Sequence, residues 1–271
     1  MCLPLSDFTN LQGPTLYHMI AKNKDDKETL REGGRRLARH VRMLSEMVIP
    51  GAQATDIEAR ARSMVEADGD TLAFFGYPSG KRGEKFPTGL CFSVNDVIVH
   101  APAVDYIIAE GDVVSLDFGI RHKGLYTDHA ATVIAGKGSA EDIRLVNGTY
   151  EALSVGIAAA QLGGTTGDIG YAVEQIAKKY KFGFPKNLAG HGVGREVHEE
   201  PHVPNYGFPG AGVRLEEGLV IAIEPMMALG SGDLYVDKDN FSYRTKDGSR
   251  SAHTEHTVLI TESGPEILTK E

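Results

Sequence analysis

Cysteine is almost missing from this chain, which holds only Cys2 and Cys91. That excludes a disulfide framework and makes a reducing cytoplasm the natural compartment. Long apolar runs are missing too. None approaches the ~18 residues of a spanning segment, so no transmembrane helix is expected. The opening "MCLPLSDFTN" carries Asp7 and no basic lead into an apolar stretch, so a secretory signal is not expected either. Positive charge is in short supply, with 28 Lys and Arg against 37 Asp and Glu and a net charge of −9. That balance disfavours a general nucleic-acid or anionic-membrane binder, though it leaves room for a local basic patch. What remains is ordinary globular composition: 271 residues, 41% hydrophobic and 24% charged. The length suits one large domain or two small ones.

What is present repeats itself. Residues 127–134 read "TDHAATVI" and residues 254–261 read "TEHTVLIT". In both, Thr-acid-His opens an apolar run. Upstream, "EGDVVSLD" (110–117) is echoed by "EGLVIAIE" (217–224), and "GAQATDI" (51–57) by "GGTTGDI" (163–169). Three echoes in one order imply two related halves of roughly 110 residues, about 25–137 and 138–271. Four acids then hold equivalent places: Asp117 and Asp128, Glu224 and Glu255.

The first 24 residues read as an irregular lead-in to a domain over 25–271. A helix is expected over 25–48, with Leu30, Gly34, Leu37, Val41, Leu44 and Val48 in one stripe and Pro50-Gly51 as the stop. Gly33-Gly34 costs ~1 kcal/mol per glycine there, which implies close packing. Arg31, Arg35, Arg39 and Arg42 share another face, read as a solvated basic stripe, with ribosomal RNA contact as the sharper alternative. Thr55 to Glu58 resembles a capping box that starts a second helix ending near Gly69. Strands are expected over 71–77 and 91–101, flanking a turn-rich loop at 78–90. A hairpin over 112–120 and 125–135 turns at Gly124. Two helices follow, from Ser139 to about Leu162 and from about Thr166 to Tyr180, the second closed by Gly183. From Leu188 onward the chain reads as strand and loop. Helices segregated from hairpins argue an α+β fold with an antiparallel sheet.

An acid on a core-directed strand needs a compensating charge. Four carboxylates in one place would repel, and several would stay protonated. Two divalent cations would neutralise them, and oxygen-rich sites with some imidazole suit Mn, Fe, Co or Zn. Two such ions roughly 3.5–4 Å apart lower the pKa of a shared water and polarise a carbonyl. Histidines are available in "GHGVGREVHEEP" (190–201), where His191 and His198 lie among glycines, and at His100. Two other motifs fail there. "GHGVG" lacks the strand–loop–helix unit of a dinucleotide site. "HEEPH" (198–202) has the letters of a helical zinc-protease motif, but Pro201 forbids the helix.

Taken together, "CFSVNDVIVH", "LDFG", "YTDHAAT", "GHGVGREVHEEPHV", "IEPM" and "SAHTEHTVLIT" resemble the motifs of type I methionine aminopeptidases, of the pita-bread (creatinase/aminopeptidase) fold. The resemblance covers about residues 25–265, in family order. It implies that Asp117, Asp128, His191, Glu224 and Glu255 are metal ligands for two divalent ions, with Asp128 and Glu255 bridging. Asp117 would complete one ion, and His191 with Glu224 the other. The activity implied is removal of the initiator methionine from nascent chains by a metal-activated water, with small second residues preferred. Glu224 would shuttle a proton, His100 would contact the scissile amide nitrogen, and His198 would stabilise the tetrahedral oxygen. Phe74, Tyr77, Cys91, Val197 and Phe241 would form the methionine pocket.

Departures from the family pattern stand out as well. The 78–90 loop is long and carries Lys81, Arg82 and Lys85, and "APA" follows His100. His253 replaces a usual glutamine. Alternation aims it at the metals, where a supporting contact is expected rather than a sixth ligand. The implied partners are nascent N-termini beginning with Met, with transient ribosome contact, no membrane and a monomeric chain. Two alternatives remain: an Xaa-Pro aminopeptidase of the same fold, which usually carries a large N-terminal domain, and a non-catalytic pita-bread module, which usually loses ligands.

Overall fold

A computed structural model describes residues 19–78 and 84–271. Most of the 1–24 lead-in, Cys2, and Lys81 and Arg82 of the loop lie outside the described residues. The chain opens with α1 (Lys24–Ser45) and α2 (Ala54–Ala67). Short β1 (Thr71–Leu72) leads to the hairpin of β2 (Leu90–Val94) and β3 (Val97–Val99). The long pair β4 (Val113–His122) and β5 (Leu125–Ile134) follows, then α3 (Ala140–Ala159) and α4 (Thr166–Tyr180). Next come β6 (Ala189–Gly192), β7 (Glu199–Pro204), β8 (Val220–Ile223) and β9 (Met226–Ala228). The chain ends through β10 (Leu234–Val236), β11 (Tyr243–Thr245), β12 (Ser251–His253), β13 (Glu255–Thr261) and β14 (Gly264–Ile267).

One antiparallel sheet dominates, with the path β1-β4-β5-β13-β8-β6-β7; β2 also pairs with β4, and β14 with β13. Its two faces do different work. Leu116, Phe118 and Ile120 of β4 pack with Leu37, Val41 and Leu44 of α1 and Ile57 and Val65 of α2. Ile221 and Ile223 of β8 and Val258 and Ile260 of β13 pack with Leu153 and Ile157 of α3 and Ile169 of α4. All of these are buried, and each such side chain contributes ~1.5–3 kcal/mol on burial. The α+β architecture expected from the sequence is therefore present. Because side chains alternate across a strand, the intervening residues of β4, β5, β8 and β13 face away from the helices.

Several local expectations need correction. The strand expected over 71–77 stops at Leu72, and the one expected over 91–101 is a hairpin that turns at Asn95, whose φ is +56°. The Thr55–Glu58 capping box does not form: the helix begins at Ala54, with Gln53 as a cap that makes no side-chain bond. Glu58 instead accepts the N–H groups of Gly89 (2.7 Å) and Leu90 (2.9 Å), tying α2 to the head of β2. Capping boxes do form at Ser139/Asp142 and Thr165/Asp168. Helix α4 is closed by left-handed Lys181 at φ +56°, not by Gly183. Gly183 is needed for contact: a Cβ there would lie 2.1 Å from the Gly230 carbonyl oxygen. Gly34 answers to the same reason, because a Cβ would lie 2.3 Å from the Leu268 oxygen. That is why α1 tolerates two adjacent glycines.

Candidate metal centre

The repeated segments meet. Strands β5 and β13, which carry the two Thr-acid-His motifs, are antiparallel neighbours, with His129 opposite His256 and Ala130 opposite Glu255. On its other side Ala130 faces Asp117 of β4. Residues directly opposite on a ladder share a face, and Asp128 lies two positions from Ala130. Asp117, Asp128 and Glu255 therefore point the same way, away from the helices. His256 pairs with Ile223, so Glu224, the next residue, falls beside Glu255. Gly192 pairs with Ile221, which brings His191 to the same face. Gly190 and Gly192 allow this approach, since a Cβ would come within 2.3 Å of the Ala222 oxygen and 2.0 Å of the Glu200 oxygen respectively. The acid at the head of β13 is thus not heading into the helical core at all.

The cluster is shut away from water: Asp117, Asp128, His191, Glu224 and Glu255 are each no more than 2% exposed. Ligand-type atoms of Asp128, His191 and Glu255 lie within 4.8 Å of one another, and so do those of Glu224, His253 and Glu255. Burial, with the charges of Asp128 and Glu224, pushes Asp117 up to about 6. Burial, with the charges of Asp128, Glu224 and Asp117, holds Glu255 well above the usual carboxylate range. Burial pushes His191 down, and the Glu224 carboxylate opposes it. Both Glu255 oxygens and His191 Nε2 are buried and make no hydrogen bond. Buried polar atoms in native proteins find partners with few exceptions. Oxygen and imidazole donors left open around one point fit hard or borderline divalent cations.

The surrounding hydroxyls hold this geometry from both sides. Thr257 Oγ1 accepts from the Asp128 N–H (2.9 Å) and donates to the Asp128 carbonyl (2.7 Å). In mirror fashion, Thr132 Oγ1 accepts from the His253 N–H (3.0 Å) and donates to the His253 carbonyl (2.6 Å). The two repeat histidines, His129 and His256, stack at 4.6 Å and 7° behind the acids. His253 points inward with no exposure, its Nε2 3.2 Å from Glu224 Oε2 and 4.0 Å from Glu255 Oε2.

Two further histidines flank the cluster. His100 follows β3 with a left-handed φ of +64°, a conformation that costs a non-glycine residue and recurs at functional sites. Its ring meets Tyr243 edge-on at 5.3 Å, and its Nε2 is buried without a hydrogen bond. The His198 ring lies 4.5 Å from that of His191. Burial drives both His100 and His198 well below the ordinary imidazole range. "HEEPH" is no helix: Glu199–Pro204 is strand β7. The five residues expected to form an apolar pocket come together in one cluster, with Phe74, Cys91 and Val197 buried and Tyr77 and Phe241 packed against them. Cys91 sits opposite Asp117 on the ladder, and burial, then the Asp117 charge, raises its thiol well above the ordinary range.

Sequence reasoning missed Ala73, Phe86 and Tyr126, which complete that cluster, and the Thr132 and Thr257 hydroxyls. Thr257 lies two residues after Glu255 and Thr132 four after Asp128, so same-face alternation from each acid was the available signal. It found nothing for Phe86, which arrives from the irregular loop and meets Phe241 at 5.5 Å.

These features define a class. The sequence profile of metallopeptidase family M24 matches residues 28–262, and the chain belongs to that family. The methionine aminopeptidase of Aquifex aeolicus is 44% identical over 246 residues, which are 90% of this chain and 95% of that one. Methionine aminopeptidase 1 of Bacillus subtilis is 34% identical over 252 residues, 93% of this chain and 99% of that one. The crystal structure of a Thermotoga maritima methionine aminopeptidase superposes with a TM-score of 0.89 at 37% identity, covering 93% of this chain and 100% of that one. Within family M24 the chain falls among the methionine aminopeptidases, and its fold is the pita-bread fold. A prolidase from Pyrococcus furiosus shares the fold alone, at 24% identity and a TM-score of 0.75.

Proposed function

We infer that this methionine aminopeptidase removes the initiator methionine of new chains at a site where Asp117, Asp128, His191, Glu224 and Glu255 hold two divalent cations. The observation that carries the reading is the convergence of four buried carboxylates and an imidazole on one face of the sheet, with the Glu255 oxygens and His191 Nε2 left without hydrogen bonds. Asp128 and Glu255 come from the two central strands, Asp117 from one flank and His191 with Glu224 from the other, and together they would hold the ions. When bound, the ions would supply an activated water and a polarised carbonyl.

The remaining work falls to the chain's own residues. Glu224 stands at the edge of the cluster and would take the proton from the attacking water. His100, whose Nε2 is buried without a hydrogen bond, would meet the scissile amide nitrogen. His198 Nε2 would donate to the oxygen that becomes negative. Phe74, Tyr77, Cys91, Val197 and Phe241 would enclose the methionine side chain, and the flexible thioether suits such an apolar wall. His253 Nε2, 3.2 Å from Glu224 Oε2, would donate to that carboxylate and so orient it. The two halves of the domain, about 25–137 and 138–271, would each contribute two of the acids. A monomeric, cytoplasmic enzyme meeting nascent N-termini near the ribosome completes the reading.

Dipeptide hydrolysis tests it. The expected result is turnover of Met-Ala but not Ala-Pro, loss of that turnover after chelation, and recovery on adding back single metals with about two ions counted per chain. Preference for Ala-Pro would favour the Xaa-Pro reading, and a metal-replete but inactive protein the binding-module reading.

A further inference from the structure

The His198 ring has a second contact that the reading above does not use. Its Nδ1 lies 2.8 Å from the phenol oxygen of Tyr77, with the two rings edge-on at 5.1 Å. Its Nε2 is buried and makes no hydrogen bond within the protein. An uncharged imidazole carries one proton, and which nitrogen holds it is set by what the other nitrogen meets. In an uncharged ring, the choice of nitrogen therefore decides what the ring does. A proton on Nε2 makes the site-facing atom a donor to a developing oxyanion. A proton on Nδ1 would turn a lone pair toward that oxyanion and repel it.

We propose that Tyr77 is a positioning residue: its phenol O–H donates to His198 Nδ1 and so fixes the ring's proton on Nε2. The direction follows from chemistry, because a phenol is the stronger donor of the two groups and an imidazole nitrogen the stronger acceptor. The backbone holds the phenol in place. The Tyr77 N–H donates to the Phe74 carbonyl and the Tyr77 carbonyl accepts from the Phe86 N–H, both at 2.9 Å. Pro78 and Lys85 bridge immediately beyond. The two feet of the long loop thus clamp Tyr77 against His198. Tyr77 then has two jobs, the ring lining the apolar cluster and the hydroxyl setting a tautomer.

The proposal rests on the oxyanion role assigned to His198 only for its catalytic consequence; the tautomer itself is measurable without turnover. The test is long-range 15N–1H correlation spectroscopy on histidine-labelled, zinc-loaded protein, with the His198 signals assigned by their loss in His198→Asn. The expected wild-type pattern is a protonated Nε2 and an imine-type Nδ1. Tyr77→Phe keeps the ring in the pocket and should average or reverse that pattern, with kcat reduced about tenfold and KM within about threefold. A proton on Nδ1 in the wild type would overturn the proposal, whether or not any variant folds. So would a Tyr77→Phe spectrum identical to wild type. A changed tautomer with unchanged kcat would support the Tyr77–His198 lock and remove His198 from the oxyanion role.

Discussion

Two charged regions of this molecule follow opposite rules. On α1, every arginine of the basic stripe has an acid within reach. Arg31 pairs with Glu28 and Glu266, Arg35 with Glu32, Arg39 with Asp68, and Arg42 with Glu46 and Glu271. These pairs are largely exposed, and each contributes ~0–1 kcal/mol. In the sheet, four carboxylates share one buried place, and burial pushes the His191 imidazole beside them toward its uncharged form. Burying each charge costs several kcal/mol unless something compensates it. The acids respond in kind. Glu32, between Arg36 and Arg35, is held down to about 2, while Asp117, buried beside Asp128, is pushed up to about 6. The lesson is that exposed charge paired with guanidinium groups supports the fold, whereas acids crowded together in a buried place suit a cation brought from outside.

The strongest way to break this comparison is to remove an acid from each region. Asp128→Asn deletes one proposed bridging carboxylate without changing its volume. Losing several kcal/mol of transition-state stabilisation, at ~1.4 kcal/mol per tenfold, should cut kcat/KM about 10³-fold or more. Isothermal titration of the metal-free variant should also show both ions bound more weakly, because the carboxylate is shared. Asp68→Asn, which removes the partner of Arg39, should leave kcat/KM within about twofold. Full peptidase activity in Asp128→Asn would count heavily against the whole metal reading.

The stability of the metal-free protein should also depend on pH in an unusual sense. Asp117 titrates near 6 when folded and near ~3.9 when unfolded. Between those values the folded state binds more protons, so stability falls as pH rises through the window. Glu255 extends the loss to higher pH. Bound cations would cancel both effects. His129, depressed to about 4 mainly by burial, works in the opposite sense in both forms. The readout is therefore the difference in Tm between loaded and chelated protein, which should widen from pH 4.5 to 7. A gap that stays constant over that range would show that the acids do not carry the metal dependence. Glu32 has the reverse sign: its contribution is present above its unfolded pKa and is lost as pH falls toward 2. Its exposure to solvent makes that loss small.

How much of this was legible beforehand follows the same division. The acids could be found because they sit in repeated strands, and a period of two carries each one to a known face. The register of Ala130 between Asp117 and Glu255 then turns two sequence echoes into one site. The pocket residues were nameable only through family resemblance, since nothing in an apolar run distinguishes Phe74 or Val197 from ordinary core. What could not be read was any contact made through irregular chain. Glu58 looked like half of a capping box because its spacing from Thr55 fits; its use, binding the N–H groups of Gly89 and Leu90, depends on a loop whose path the sequence does not encode locally. Likewise the arginine stripe looked basic because its partners Asp68, Glu266 and Glu271 are distant in sequence.

That last point sets the smallest effect and the finest test. A stripe already neutralised by its own acids has little field left for a phosphate backbone, where affinity grows with each contact made. Arg35→Ala and Arg42→Ala together should leave Met-Ala turnover unchanged and shift stability by less than about 1 kcal/mol. They should change co-sedimentation with ribosomes by no more than about twofold at physiological salt. A tenfold or greater loss of ribosome association with turnover intact would mean that the surface pairs open to accept RNA. The contrast between paired surface charge and crowded buried acids would then hold for folding but not for recognition.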